Sequence, residues 1–259
     1  AWDVYRVKRA VKHECIRVVL SYLNIEETLF LVSLEPKKAE ARVKLIFELS
    51  DKHLVVRGHH QTVRDDIRSY ADGVPIKPSY ESLTPWMESE LWRLVAPVGR
   101  DTKTLKSLVD QTRRIKEEYH DFMIKGKKKL KPMALSIGSK RYSFVTYWKN
   151  NNGWLTEGLA KRAGVLRKVK RRGVDGLLKV KSVAMVVGAN LSLLYSHHYE
   201  NRAPHSGDSR DILHAIAASG ADVFVTNDKK LQAVLSRIPV DGFQVMNLQD
   251  FVNAFPKWV

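Results

Sequence analysis

DSRDILHAIAASGADVFVTNDKKL, residues 208–231, is the stretch from which the fold is read. Residues 207–219 read as a helix whose small residues Ala215, Ala217 and Ala218 allow close packing. The run ADVFVT, 221–226, is continuously apolar and β-prone, the pattern of a strand buried on both faces of a parallel sheet. Downstream, 229–236 reads as a helix, 243–246 as a strand and 248–255 as a last helix. Helix, strand, helix, strand, helix in that order predicts an α/β domain with a parallel sheet flanked by helices.

The acids of this stretch are placed for chemistry. Asp208 and Asp211 stand three apart at a helix start, on one face and in the positive field of its N-terminus. Asp228 follows the apolar strand at its carboxyl end, the edge where open parallel sheets bind ligands, with Thr226 and Asn227 in the polar turn beside it. Carboxylates gathered there repel one another unless a cation lies between them, and oxygen-only ligation selects Mg²⁺ or Mn²⁺. The structural alternative is helix capping by each aspartate and closure of a turn after Thr-Asn.

Working outward, 37–50 is an amphipathic helix with Ala39, Val43, Ile46 and Leu49 on one stripe. The spacing also predicts helices over 5–23 and 61–70 and strands over 28–33 and 53–56. Thr84, Pro85, Glu88 and Glu90 form a helix start. A basic amphipathic helix over 102–125 gives way to GKKKLKP and an Asn-rich turn, NNNGW, before a second basic helical stretch. The mostly apolar run 182–195 is a core element.

Charge divides the chain of 259 residues unevenly. The net of +16 splits into +2 over 1–100, +15 over 101–181 and −1 over 182–259. A block so strongly of one sign spreads over a surface or meets a polyanion. Five aromatics, Tyr142, Phe144, Tyr147, Trp148 and Trp154, lie between Arg141 and Lys161. Cations track phosphates and aromatic faces stack on unpaired bases, so the mixture points to single-stranded nucleic acid. Lys127, Lys128, Lys129, Arg141, Arg171 and Arg172 are the expected backbone contacts, and Trp148 or Trp154 the stacking residue. The single cysteine, Cys15, excludes an internal disulfide and suits a reducing, cytoplasmic setting. The first twenty residues carry no apolar stretch of the secretory kind, and the longest charge-free run, 182–196, is shorter than a membrane span.

Residues 208–231 resemble the carboxyl-terminal half of PIN domains, in which one aspartate opens a small-residue helix and another follows the next strand. Asp211 and Asp228 match those positions, and Asp208 is an extra acid one turn earlier. LTPWMESELWRL, 83–94, resembles the family's Ser-Pro-then-Glu-Leu helix start, with Thr84 as the polar residue and Glu90 as the helix-borne glutamate. The family's opening strand ends in an Asp-Thr-Asn type sequence that this chain lacks; Asp3, or a degenerate strand at 17–20, 29–33 or 54–56, is the candidate substitute.

The resemblance implies a PIN-like catalytic domain from 1–100 and 182–259, interrupted by a mainly helical basic insertion, 101–181, that binds nucleic acid. It also implies Mg²⁺- or Mn²⁺-dependent endonucleolytic cleavage of RNA. Glu90, Asp208, Asp211 and Asp228 would be the catalytic, metal-holding acids. Many such nucleases act as toxins held silent by an antitoxin-type protein, which makes an inhibitor a candidate partner.

Other readings stand beside this one. LTEGLAKRAGVLRKVKRRG, 155–173, resembles a helix-turn-helix: Leu159 and Val165 face a core, and Arg167, Lys168, Lys170, Arg171 and Arg172 follow on the next helix. A protein reading DNA or RNA without cleaving it, or an inactive PIN relative, would carry the same features. His214, one turn after Asp211, is either a general base or a packed histidine, and the pairs His59–His60 and His197–His198 lack a zinc ligand set.

Overall fold

The computed structural model describes residues 2–32, 35–50, 54–82, 143–205 and 207–254 continuously, and scattered residues between 84 and 124. In chain order its elements are α1 (Trp2–Lys12), α2 (Tyr22–Val32), α3 (Pro36–Leu49), β1 (Leu54–Val56), α4 (His59–Asp72), β2 (Tyr80–Ser82), α5 (Phe144–Arg162), α6 (Leu166–Arg172) and α7 (Val174–Leu177). There follow α8 (Lys181–Tyr199), α9 (Asp208–Ala218), β3 (Val223–Val225), α10 (Lys229–Leu235), β4 (Gln244–Met246) and α11 (Leu248–Asn253).

The expected α/β class with a PIN-like parallel sheet is overturned. Among the described residues 68% are helical and 6% are in strands, and the strands form two separate pairs, β1–β2 and β3–β4. The reason lies in α8. The apolar run after residue 182 folds as a helix with fifteen buried residues and takes the central place that a sheet would need.

The chain divides into two compact units. One comprises 1–58, 78–113 and 246–259. There Val7 and Ala10 of α1 meet Val252 of α11, with Leu248, Phe251 and Leu49 packed around them. β1 pairs antiparallel with β2, Leu54 opposite Ser82 and Val56 opposite Tyr80. The expected helix over 5–23 stops at Lys12, because Glu14 turns into the left-handed region at φ 55° and Cys15 N–H closes onto the Ala10 carbonyl. The expected strand over 28–33 lies largely within helix α2, where Thr28 Oγ1 donates to the Asn24 carbonyl at 2.7 Å. Short apolar runs fit either periodicity, and here the helix wins. Asp3 belongs to the first turn of α1, so it does not end a strand.

The other unit comprises 59–77 and 114–245. Helix α8 packs against α4, α5, α9 and α10. Gly188 permits its closest approach, since a Cβ there would lie 2.4 Å from Ile238 Cγ2. Ser182 on α8 donates to buried Asp66 on α4. One core continues across residue 181, from Ala160, Val169 and Leu177 to Val183, Leu191 and Ile216. The basic stretch 144–181 therefore packs with 182–245, where a separate insertion ending at 181 was expected. The expected turn at NNNGW is absent. α5 runs straight through it, capped by Ser143, because Asn151 Nδ2 donates to the Tyr147 carbonyl and Thr156 Oγ1 to the Asn152 carbonyl, each four residues back.

Candidate acidic site

The segment that carries the acids folds locally as its sequence requires. α9 opens at Asp208 with Asp211 in its first turn, β3 follows, and Asp228 ends the polar turn after β3. Asp208 is fully buried. Its Oδ1 accepts from Arg202 Nη2, its Oδ2 accepts from the His205 N–H at 3.0 Å, and His197 Nε2 lies 3.2 Å from Oδ2. Burial alone would raise this carboxyl, but His197, the His205 N–H and Arg202 hold it below its ordinary value. With its oxygens committed to protein donors, Asp208 is an anchor for the loop before α9, where sequence made it a metal-holding acid.

Asp211 has the opposite character. Its carboxyl is mostly buried, and Arg202 Nη2 stands 3.6 Å from Oδ2, beyond hydrogen-bond reach. Burial pushes its pKa up to about 6; Asp208 and Asp228 push the same way, against Arg202 and His214. A carboxylate with this history carries charge that the protein leaves only partly compensated. Asp228 is exposed and caps α10, its Oδ1 accepting from Lys230 N–H at 2.8 Å and Leu231 N–H at 3.1 Å, while its own N–H donates to Thr226 Oγ1 at 3.1 Å. That cap occupies one oxygen and leaves Oδ2 open to a ligand. Asp211 and Asp228 thus lie within each other's field, from a helix start and a strand tip, as hard oxygen donors that suit Mg²⁺ or Mn²⁺. Among the described residues no group of three or more His, Cys, Asp or Glu is placed to hold an ion. Glu90 lies outside the described residues.

His214 lies near Asp211, and His59 lies near His214. His214 stacks edge-to-face on Phe224, with ring centroids 6.1 Å apart, as a packed residue does. His59, the first residue of α4, has Nε2 sealed from water without a hydrogen-bond partner. Burial pushes its pKa down to about 4, helped by His60 and His214, so it is neutral at pH 7. Sequence reading assigned no role to His59 or Arg202. Arg202 stands six residues before Asp208 in ENRAPHSGD, a loop with no periodicity to mark it.

Of the expected nucleic-acid contacts, Lys127, Lys128, Lys129 and Arg141 lie outside the described residues. Trp148 is half-buried against the core, while Trp154 is 48% exposed with its Nε1 donating to Asn151 Oδ1 at 3.4 Å. Of the two tryptophans, Trp154 is the more exposed ring. Between α5 and α6 a three-residue turn passes through Gly164 at φ 78°, a conformation that favours glycine. Leu159 and Val165 pack on the core as the helix-turn-helix pattern expects. Lys168 pairs with Asp72 at 2.7 Å, Lys170 with Glu157 at 3.0 Å, and Arg172 lies over the Tyr70 ring. Arg167 and Arg171 are exposed and make no ion pair among the described residues.

Among the described residues no helix is long and apolar enough to cross a membrane. Comparison with protein-family models, with curated proteins and with solved structures finds no match to this chain.

Proposed function

We propose that this protein is a metal-dependent hydrolase of RNA phosphodiester bonds whose reacting centre is built on Asp211 and Asp228. The observation that carries the reading is the placement of Asp211, mostly buried in the first turn of α9 without a hydrogen-bonded cation, within the field of Asp228, which uses only Oδ1 for its cap; burial raises the Asp211 carboxyl to about 6. Buried, partly compensated acids of this kind cluster at functional sites. A divalent cation there would lower the pKa of a bound water and offset charge developing on the phosphate. Asp211 and the open oxygen of Asp228 would hold it. From the resemblance of residues 208–231 to PIN domains the reading takes only the local order of the acids, one at a helix start and one after the next strand, and not the parallel sheet. Exposed Arg167, Arg171 and Trp154 supply cations and a stacking face for a single strand.

The test is cleavage of a labelled single-stranded RNA in Mn²⁺ and in EDTA. Cutting that needs Mn²⁺ and falls at least about a hundredfold in Asp211→Asn and Asp228→Asn supports the reading. Undiminished cutting in both variants removes it.

The turn at Gly164 favours a second reading, a helix-turn-helix binder of nucleic acid without catalysis. Such a protein would hold duplex DNA in EDTA and lose affinity in Arg167→Ala/Arg171→Ala, with no cleavage in any metal.

A further inference from the structure

Arg202 belongs to no motif, yet its surroundings are built. Its backbone is pinned on both sides to the last turn of α8: its N–H donates to the Ser196 carbonyl at 3.1 Å, and its carbonyl accepts from His197 Nδ1 at 2.8 Å. The guanidinium is then fastened at one corner, where Nη2 donates to the fully buried carboxylate of Asp208. Nε and Nη1 have no partner among the described residues and are not sealed from solvent. The side chain is 24% exposed and stands beside Asp211, which is 14% exposed.

An arginine whose task was only to neutralise Asp208 would offer its fork to both oxygens of that carboxylate. Here the second oxygen of Asp208 is taken by the His205 N–H and faces His197, and the remaining guanidinium donors are left free. Free planar donors on a fixed guanidinium match the oxygens of a phosphate. They also answer an electrostatic problem of the acidic site, since Asp211 and Asp228 repel a polyanion that must come close to them.

We propose that Arg202 is the phosphate-binding residue of the acidic site. A free N–H of its guanidinium, on Nε or on Nη1, donates to a non-bridging oxygen of an RNA phosphodiester next to Asp211, and Asp208 acts as a positioning residue that fixes the guanidinium. The proposal rests on the hydrolase reading for the identity of the substrate. The anion site itself needs no metal.

The test uses the full chain in EDTA, with uridylyl-(3′→5′)-uridine as a probe carrying a single phosphodiester. Guanidinium N–H signals are followed by NMR, that of Arg202 being the one lost in Arg202→Lys. The Arg202 signal is expected to move saturably with the probe, and binding to weaken at least about tenfold in Arg202→Lys, which keeps a cation beside Asp208. Asp208→Asn is expected to weaken the probe about threefold or more while the Arg202 signal still responds, a change that a purely structural role would not produce in the folded fraction. An Arg202 signal that stays in place, or equal affinity in Arg202→Lys, overturns the proposal. RNA cleavage with an unmoved Arg202 signal sinks this inference and leaves the hydrolase. Probe binding at Arg202 with no metal-dependent cleavage sinks the hydrolase and leaves the anion site.

Discussion

Arg202 Nη2 lies 3.6 Å from Asp211 Oδ2, while the same nitrogen is hydrogen-bonded to Asp208 Oδ1. One cation thus serves two carboxylates unequally, and Asp211 is the one left with a raised pKa.

Asp211 is expected to cost stability at neutral pH. Its folded-state pKa of about 6 is above the ordinary 3.8, so the folded chain binds more protons than the unfolded one between those values. Stability from this group is full below about 3.8 and is lost as pH rises through about 6. Asp211→Asn in EDTA should raise stability at pH 7 by on the order of 2 kcal/mol and change it little at pH 4, read by urea unfolding.

His59 runs the other way over nearly the same range. Its pKa falls from 6.5 to about 4, so the unfolded chain binds more protons between these values, and stability is lost as pH falls through that window. In Asp211→Asn this slope is no longer opposed by Asp211. The variant should lose stability on acidification from pH 6.5 to 4 more steeply than the wild type.

Asp228 combines a cap with a proposed ligand, and two substitutions separate them. Asp228→Asn keeps an oxygen for the Lys230 and Leu231 N–H groups and should melt within about 0.5 kcal/mol of the wild type while losing cleavage. Asp228→Ala should lose both, with about 1 kcal/mol of stability.

The core places opposite demands on two helical glycines. Gly188→Ala on α8 drives a methyl to 2.4 Å from Ile238 Cγ2 and should destabilise by about 1–3 kcal/mol. Gly153→Ala on α5 meets nothing within 4 Å and should stabilise by up to about 1 kcal/mol, both read as shifts in urea midpoint.

Local order in the last fifty residues was legible because its elements carry their own signals: small residues in α9, an apolar run for β3 and short helical stretches on either side of β4. The joining of these elements was not. ADVFVT reads as a strand buried inside a parallel sheet, but among the described residues β3 pairs with β4 alone and its three residues are only half-buried. Nothing local tells the apolar run after 182 whether to be a central strand or a central helix. What was legible of the acids is their local placement, Asp211 at a helix start and Asp228 after a strand. The buried pairing of Asp208 was not legible, because its partners, His197 and Arg202, come from the end of α8 and the loop beyond it and follow no spacing rule.

Manganese binding tests the central claim most directly, by the electron paramagnetic resonance signal of free Mn²⁺ over the full chain. The wild type is expected to take up the ion, with affinity falling at least about tenfold in Asp211→Asn and in Asp228→Asn and unchanged in Asp241→Asn, an exposed acid in the loop between α10 and β4. A wild type that binds no Mn²⁺, or equal uptake in all three variants, contradicts the account.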